Sequence, residues 1–192
     1  MSEIQTREIS KLKFLDEAHF VSHQLTNCKV LGLVNKRVWL KQNTLNQASG
    51  TLTILTSVVG DPVVLTYSEA TTNQWAFLDF VLSCCLNGDL MNGDYLIVDN
   101  AAIHHGSDSH ELLELILEFF GVQLIYLPAY SPELNPCELV FNVVKKHIRY
   151  HRDRFSPIFE EVLKAVATIT ESMMKAFYYH CIFPKVVLPD MQ

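Results

Sequence analysis

Tyr95-Leu96-Ile97-Val98-Asp99 is a short, unbroken apolar run that ends in acid. A run of that length, rich in branched and aromatic residues, predicts a strand buried on both faces. What flanks it decides the fold. Downstream, Ser107 or Asp108 can cap a helix to about Phe120, Gly121 stops it, and Val122 to Leu127 forms a further strand. Asn135-Pro136 then opens a helix to about Tyr150. Ser156-Pro157 opens a last helix, with Phe159, Val162, Leu163, Val166 and Ile169 as its apolar face. Upstream, a helix runs from about Asn73 to Leu86, capped by Thr72 and stopped at Asn87-Gly88. Its expected apolar face is Trp75, Leu78, Val81, Leu82 and Cys85. Before it, Thr51 to Val59 and Val63 to Tyr67 alternate as a hairpin about Gly60-Asp61-Pro62. Lys11 to Asp16 is another apolar run ending in acid, and Arg37 to Leu40 is a small candidate strand. Hairpin strands followed by strand–helix–strand–helix predict an α/β fold with a mixed sheet.

The 192 residues suit one domain, with a core over about 11–150 and a C-terminal helical segment over 156–180. Apolar residues make up 49% and charged ones 19%, the balance of a compact protein. No stretch is long and apolar enough for a bilayer span, and the N-terminus has no secretory core. An intracellular protein is expected. Five cysteines form no CxxC pair, so reduced core thiols are expected. The net charge of −6 argues against wholesale coating of nucleic acid. Yet Lys145, Lys146, Arg149, Arg152 and Arg154 fall within ten residues. Such a strip can meet phosphate, or it can be a solvated helix face.

In open α/β sheets, sites form beyond the carboxyl ends of central strands, where Asp16 and Asp99 are expected. Each has a plainer reading, since acids often cap the loop after a strand. Glu138 also has one. Asn135 is a natural N-cap, and Glu138 falls at the reciprocal position of a capping box. Read as a helix, however, positions 138, 142, 145 and 149 share one face, carrying Glu138, Asn142, Lys145 and Arg149. Val140, Val143, Val144, His147 and Ile148 would pack inward. An acid leading into a basic strip could hold a cation beside a phosphate chain.

Three blocks carry a resemblance. Tyr95 to His104 is similar to a D-N-A-x-I-H block, and Leu127 to Glu138 (LPAYSPELNPCE) to an L-P-x-Y-S-P-x-L-N-P-x-E block. Phe14-Leu15-Asp16-Glu17 is similar to an opening F-x-D-E. Over about residues 11–150 the chain resembles the DDE endonuclease domain of Tc1/mariner and IS630-like transposases. The resemblance implies a ribonuclease-H-like, integrase-like fold, with a mixed five-stranded sheet flanked by helices. It implies Asp16, Asp99 and Glu138 as catalytic, metal-holding carboxylates for two Mg²⁺ or Mn²⁺ ions. Glu17 and Glu133 are the neighbouring acids to be told apart from them. The 38 residues between Asp99 and Glu138 exceed the spacing of the best-known members.

The implied activity is metal-dependent DNA cleavage and strand transfer, as in transposition and integration. The competing expectation is an idle, transposase-derived scaffold that binds DNA or protein. DNA is the implied partner, through Asn142, Lys145, Lys146, Arg149 and His104. A homodimer and a separate DNA-binding subunit or domain are further partners the resemblance admits, with no membrane. Only about ten residues precede the first strand, so the family's helix-turn-helix modules are expected to be absent and the chain to be a fragment, truncated copy or host-adopted remnant. The nucleus is the expected location in a eukaryote, and the cytoplasm otherwise. His104 and His105 follow Asp99 closely and could contact DNA or a metal-bound water, with a structural loop role as the alternative for both. His19 and His23 have helical spacing but lack the glutamate of an HExxH zinc site.

Overall fold

The computed structural model describes residues 2–21, 49–69, 73–99, 107–151 and 156–183. A short helix α1 (Ser2–Gln5) precedes strands β1 (Leu12–Val21), β2 (Ser49–Thr56) and β3 (Val63–Ser68). Helix α2 (Gln74–Asn87), strand β4 (Tyr95–Val98), helix α3 (Ser107–Phe120) and strand β5 (Gln123–Tyr126) follow. Helices α4 (Pro136–His151), α5 (Ile158–Val166) and α6 (Glu171–Ile182) complete the described chain. The sheet order is β3-β2-β1-β4-β5. The β1–β2 and β2–β3 pairs are antiparallel, while β1–β4 and β4–β5 are parallel. The mixed five-stranded sheet is therefore as expected.

Strand periodicity divides the core between the two faces. Phe14, Ala18 and Phe20 of β1 share one cluster with Val140, Phe141 and Val144 of α4, Val162 of α5 and Tyr178 of α6. Leu15, Leu96 and Val98 share the other with Phe77, Val81 and Cys84 of α2 and Leu113 and Leu117 of α3. Tyr178 pins α6 to the sheet. Its buried hydroxyl donates to the Thr56 carbonyl at 2.7 Å, and its ring meets Phe14 edge-on at 5.2 Å. The four described cysteines are unpaired and buried. Among the described residues, no helix is long and apolar enough to cross a membrane.

Several expectations need correction. Strand β1 continues five residues beyond Asp16, because Glu17 to Val21 keep pairing with β2 in alternating fashion. Asp16 is therefore mid-strand rather than terminal. His19 lies on that strand, 3.2 Å from Thr51 Oγ1, so its helical spacing to His23 does not apply. Strand β2 stops at Thr56, where Ser57 turns and donates to the Pro62 carbonyl at 3.1 Å. Helix α2 is capped by Asn73, whose side chain accepts from the Trp75 and Ala76 amides. Its buried face is Phe77, Leu78, Phe80, Val81, Cys84 and Cys85, whereas Trp75 is exposed. Gly88 ends it with φ at +84°, the left-handed stop its sequence predicts.

The last expected helix is two. The Thr168 hydroxyl donates to the Ala165 carbonyl at 2.6 Å, and Thr170 caps α6 through the Met173 amide. Thr72, Arg37 to Leu40, His23, Cys28, Arg152 and Arg154 lie outside the described residues.

Candidate active site

The parallel ladder between β1 and β4 sets the site. It pairs Leu12 to Leu15 with Tyr95 to Val98, so the next step in register sets Asp16 beside Asp99. Asp16 has the side-chain parity of Phe14 and Ala18, and Asp99 that of Ile97, all on the face that α4 covers. Helix α4 begins at Pro136 and carries Glu138 in its first turn. A cleft of about 410 Å³ results, lined by Asp16, Asp99 and Glu138 together with the connection from Leu127 to Pro132 and Asn135.

Asp16 is the most buried of the three acids, with 9% of its surface exposed. Its Oδ1 accepts from the Glu17 amide at 2.7 Å, and its Oδ2 accepts from Asn135 Nδ2 at 2.8 Å. Burial pushes its carboxyl up to about 7. The Glu17 amide opposes that rise, while the negative charges of Asp99, Glu138 and Glu17 add to it. Asn135, itself buried, serves both parts of the site. Its Oδ1 accepts from the Cys137 amide at 3.1 Å and caps α4, while its Nδ2 holds Asp16.

The capping-box reading of Glu138 does not hold. The Asn135 N–H that Glu138 would accept from is donated to the Pro132 carbonyl at 3.0 Å.

A model of the family described as DDE superfamily endonuclease matches residues 11–158, which is most of the chain and includes all three acids. The chain belongs to that family.

Solved structures agree in fold. This DDE chain is similar to Mos1 transposase in its paired-end complex with left transposon end, with a TM-score of 0.70 and 12% identity over 94% of this chain. That match spans 55% of the Mos1 chain, so the DDE chain spans about half of its relative's length. The catalytic domain of Mos1 mariner transposase gives a TM-score of 0.63 at 12% identity, over 94% of this chain and 81% of that one. The simian T-cell lymphotropic virus intasome in complex with PP2A regulatory subunit B56 gamma gives 0.58 at 12% identity, over 85% of this chain and 50% of that one. The architecture is the expected ribonuclease-H-like fold, shared with the Mos1 transposase catalytic domain. No curated protein sequence matches the chain.

The other sequence-marked residues of this DDE chain separate cleanly. Glu17 has the opposite side-chain parity from Asp16 and accepts from Thr53 Oγ1 at 3.1 Å. Glu133 is exposed on the turn Pro132–Leu134 and does not line the cleft. Cys137 is fully buried, with Sγ 3.4 Å from the Phe14 carbonyl. Burial holds its thiol well above the ordinary range, so it packs rather than reacts.

On α4, Asn142, Lys146 and Arg149 are exposed, and Lys145 is half-buried with Nζ 5.9 Å from the Phe20 ring centre. Val140, Val144 and Ile148 are buried as expected. Phe141 joins them, while Val143 and His147 are only half-buried. His104 and His105 lie outside the described residues.

The donor set suits a hard cation, because the ionisable side chains lining the cleft are three carboxylates and the Tyr130 phenol, all oxygen donors, with no thiol or imidazole among those described. Among the described residues, no three acids, thiols or imidazoles are gathered tightly enough to cage an ion. Mutual repulsion of like charges favours that open spacing. The residues that sequence reasoning missed are Asn135 as the Asp16 partner and Tyr130 on the rim. Asn135-Pro136 signals only a helix cap, since a cap uses the amide oxygen and says nothing of its nitrogen.

Proposed function

We infer that this DDE chain cleaves DNA phosphodiester bonds using two divalent cations, Mg²⁺ or Mn²⁺, held by Asp16, Asp99 and Glu138. The observation that carries this reading is the buried Asp16 carboxyl, oriented by two hydrogen bonds and lining one cleft with the other two acids. Similar Mos1 paired-end complexes were solved with Mn and with Mg, which supports the same choice of ion here. Bound divalent cations would neutralise charge growing on the phosphate and lower the pKa of an attacking water.

The chain's own residues do the rest. The Glu17 amide and Asn135 Nδ2 each occupy one lone pair of Asp16, which fixes the carboxylate plane and leaves lone pairs on both oxygens. Glu138 rides on the rigid first turn of α4. The exposed strip of Asn142, Lys146 and Arg149, beside Lys145, steadies the phosphate chain along that helix. Hydrolysis leaves a DNA 3′-hydroxyl. That hydroxyl then attacks a second phosphodiester, forming one P–O bond as another breaks, which is strand transfer.

An idle, transposase-derived scaffold is the second reading, favoured by the open spacing of the carboxylates. Thermal melting with Mn²⁺ separates the two. A cation at 100 times its Kd stabilises by about 2.7 kcal/mol, so the melting temperature of the parent should rise. The rise should vanish in Asp99→Ala. A parent that melts identically with and without Mn²⁺ supports the scaffold.

A further inference from the structure

We propose that Tyr130 is a base-stacking residue, holding one unstacked nucleobase at the mouth of the carboxylate cleft. The inference rests on the DNA-cleaving reading above and adds a ligand contact to it. Tyr130 lines the cleft with Asp16, Asp99 and Glu138, yet its side chain is 100% exposed. It is also the one non-glycine residue with positive φ among those described, at +57°.

A bulky aromatic is disfavoured in that region, where glycine or asparagine sits comfortably. Burial usually repays such a conformation. Here nothing does, because the ring meets solvent alone. Phe119, the next most exposed aromatic, lies in the regular helix α3 and packs edge-on against Phe120. A strained residue with no packing return points to a role outside the fold.

The frame around Tyr130 is tied to the acids from both sides. Upstream, the Leu127 amide donates to the Val98 carbonyl at 2.8 Å, immediately before Asp99. Downstream, the Leu134 amide donates to the Ser131 carbonyl, and Asn135 holds Asp16. Prolines at 128 and 132 bracket the turn and narrow its backbone freedom. The backbone that carries the ring is thus held at a fixed place relative to the carboxylates.

Chemistry then selects the ligand. An uncharged aromatic face offers little to a phosphate, whereas every nucleobase has a π-face that can stack on it. Bases within an intact duplex are already stacked, so the fitting ligand is a base that has left the stack beside the phosphate in the cleft.

The test is fluorescence anisotropy of the full chain with a labelled duplex bearing a short single-stranded overhang. Ca²⁺ replaces Mn²⁺ so that the DNA stays uncut. Tyr130→Phe should bind within about twofold of the parent, because the ring is what stacks. Tyr130→Asn should bind about 5- to 150-fold more weakly, the range expected for losing one stacked base. With abasic sites throughout the overhang, the parent and Tyr130→Asn should bind alike. Tyr130→Asn should melt at or above the parent temperature, since asparagine tolerates the left-handed backbone.

Equal binding by Tyr130→Asn on the normal overhang overturns the proposal. So does a difference that persists on the abasic DNA, or a Tyr130→Phe as weak as Tyr130→Asn. A parent that nicks plasmid while Tyr130→Asn binds like it removes the stacking role alone. A parent that neither binds nor cuts DNA removes the functional reading together with it.

Discussion

The Asn135 side-chain amide spans two elements, donating to Asp16 Oδ2 on β1 at 2.8 Å while its carbonyl caps α4 through the Cys137 amide at 3.1 Å. One buried side chain therefore fixes the orientation of an acid and the start of the helix that carries another. Asn135→Ala should lose a cap and a charge-assisted hydrogen bond together, costing about 2–4 kcal/mol in denaturant unfolding. Asn135→Asp keeps the cap but sets a carboxylate against Asp16, and should be destabilised more at about pH 8 than at about pH 5. A cost below about 0.5 kcal/mol for Asn135→Ala would show that the amide bridges nothing of consequence.

Asp16 gives the cation-free chain a definite pH dependence. Its carboxyl rises from 3.8 to about 7 on folding, mainly through burial. The folded chain therefore keeps a proton that the unfolded chain has already released, and stability falls as pH climbs between those values. Above about 7 the loss is complete. Between about pH 5 and pH 8 in chelator, the parent should lose about 2–3 kcal/mol relative to Asp16→Asn. Mn²⁺ at the higher pH should restore the parent and not the variant. Parallel pH profiles for the two proteins would show that Asp16 ionises as an ordinary surface acid does.

The α4 strip predicts a salt dependence. Lys146 and Arg149 are exposed on the helix that begins with Glu138. If each contacts one phosphate, Lys146→Ala and Arg149→Ala should each lower the slope of log affinity against log salt by about 0.9 on duplex DNA. The weakening should be similar across DNA sequences, because phosphate contacts carry no base information. Unchanged slopes would leave the strip a solvated helix face.

The sequence made the mixed sheet legible because Tyr95 to Val98 is an unbroken apolar run and the hairpin alternates. The limits of legibility have local causes. Strand β1 outlasts its apolar run since residues beyond Leu15 pair with β2 alone, and an alternating Glu17-Ala18-His19-Phe20 stretch reads less strongly than a buried one. Lys13 hides in the same strand, buried with Nζ 2.6 Å from Ser57 Oγ. The break between α5 and α6 contains neither glycine nor proline and rests on the hydroxyls of Thr168 and Thr170. Helical spacing of apolar residues runs through it, because Ile169 within the break is also buried.

At the site, the three acids were legible from their motif blocks, and the ladder register explains how Asp16 and Asp99 meet. Asn135 and Tyr130 were visible as letters in the longest block. Their roles were not, because a side-chain nitrogen's partner and a backbone angle of +57° depend on the assembled turn.

The most direct test of the carboxylate centre is nicking of supercoiled plasmid with Mn²⁺ by the parent and by Glu138→Gln. The Asn135 N–H is already donated to Pro132, so the substitution should cost under about 1 kcal/mol of stability, the scale of a helix-dipole contribution. Nicking by the parent that falls at least about a hundredfold in the folded variant is the predicted result, in line with loss of a transition-state contact of about 2.7 kcal/mol. Equal nicking by the two proteins would contradict the account.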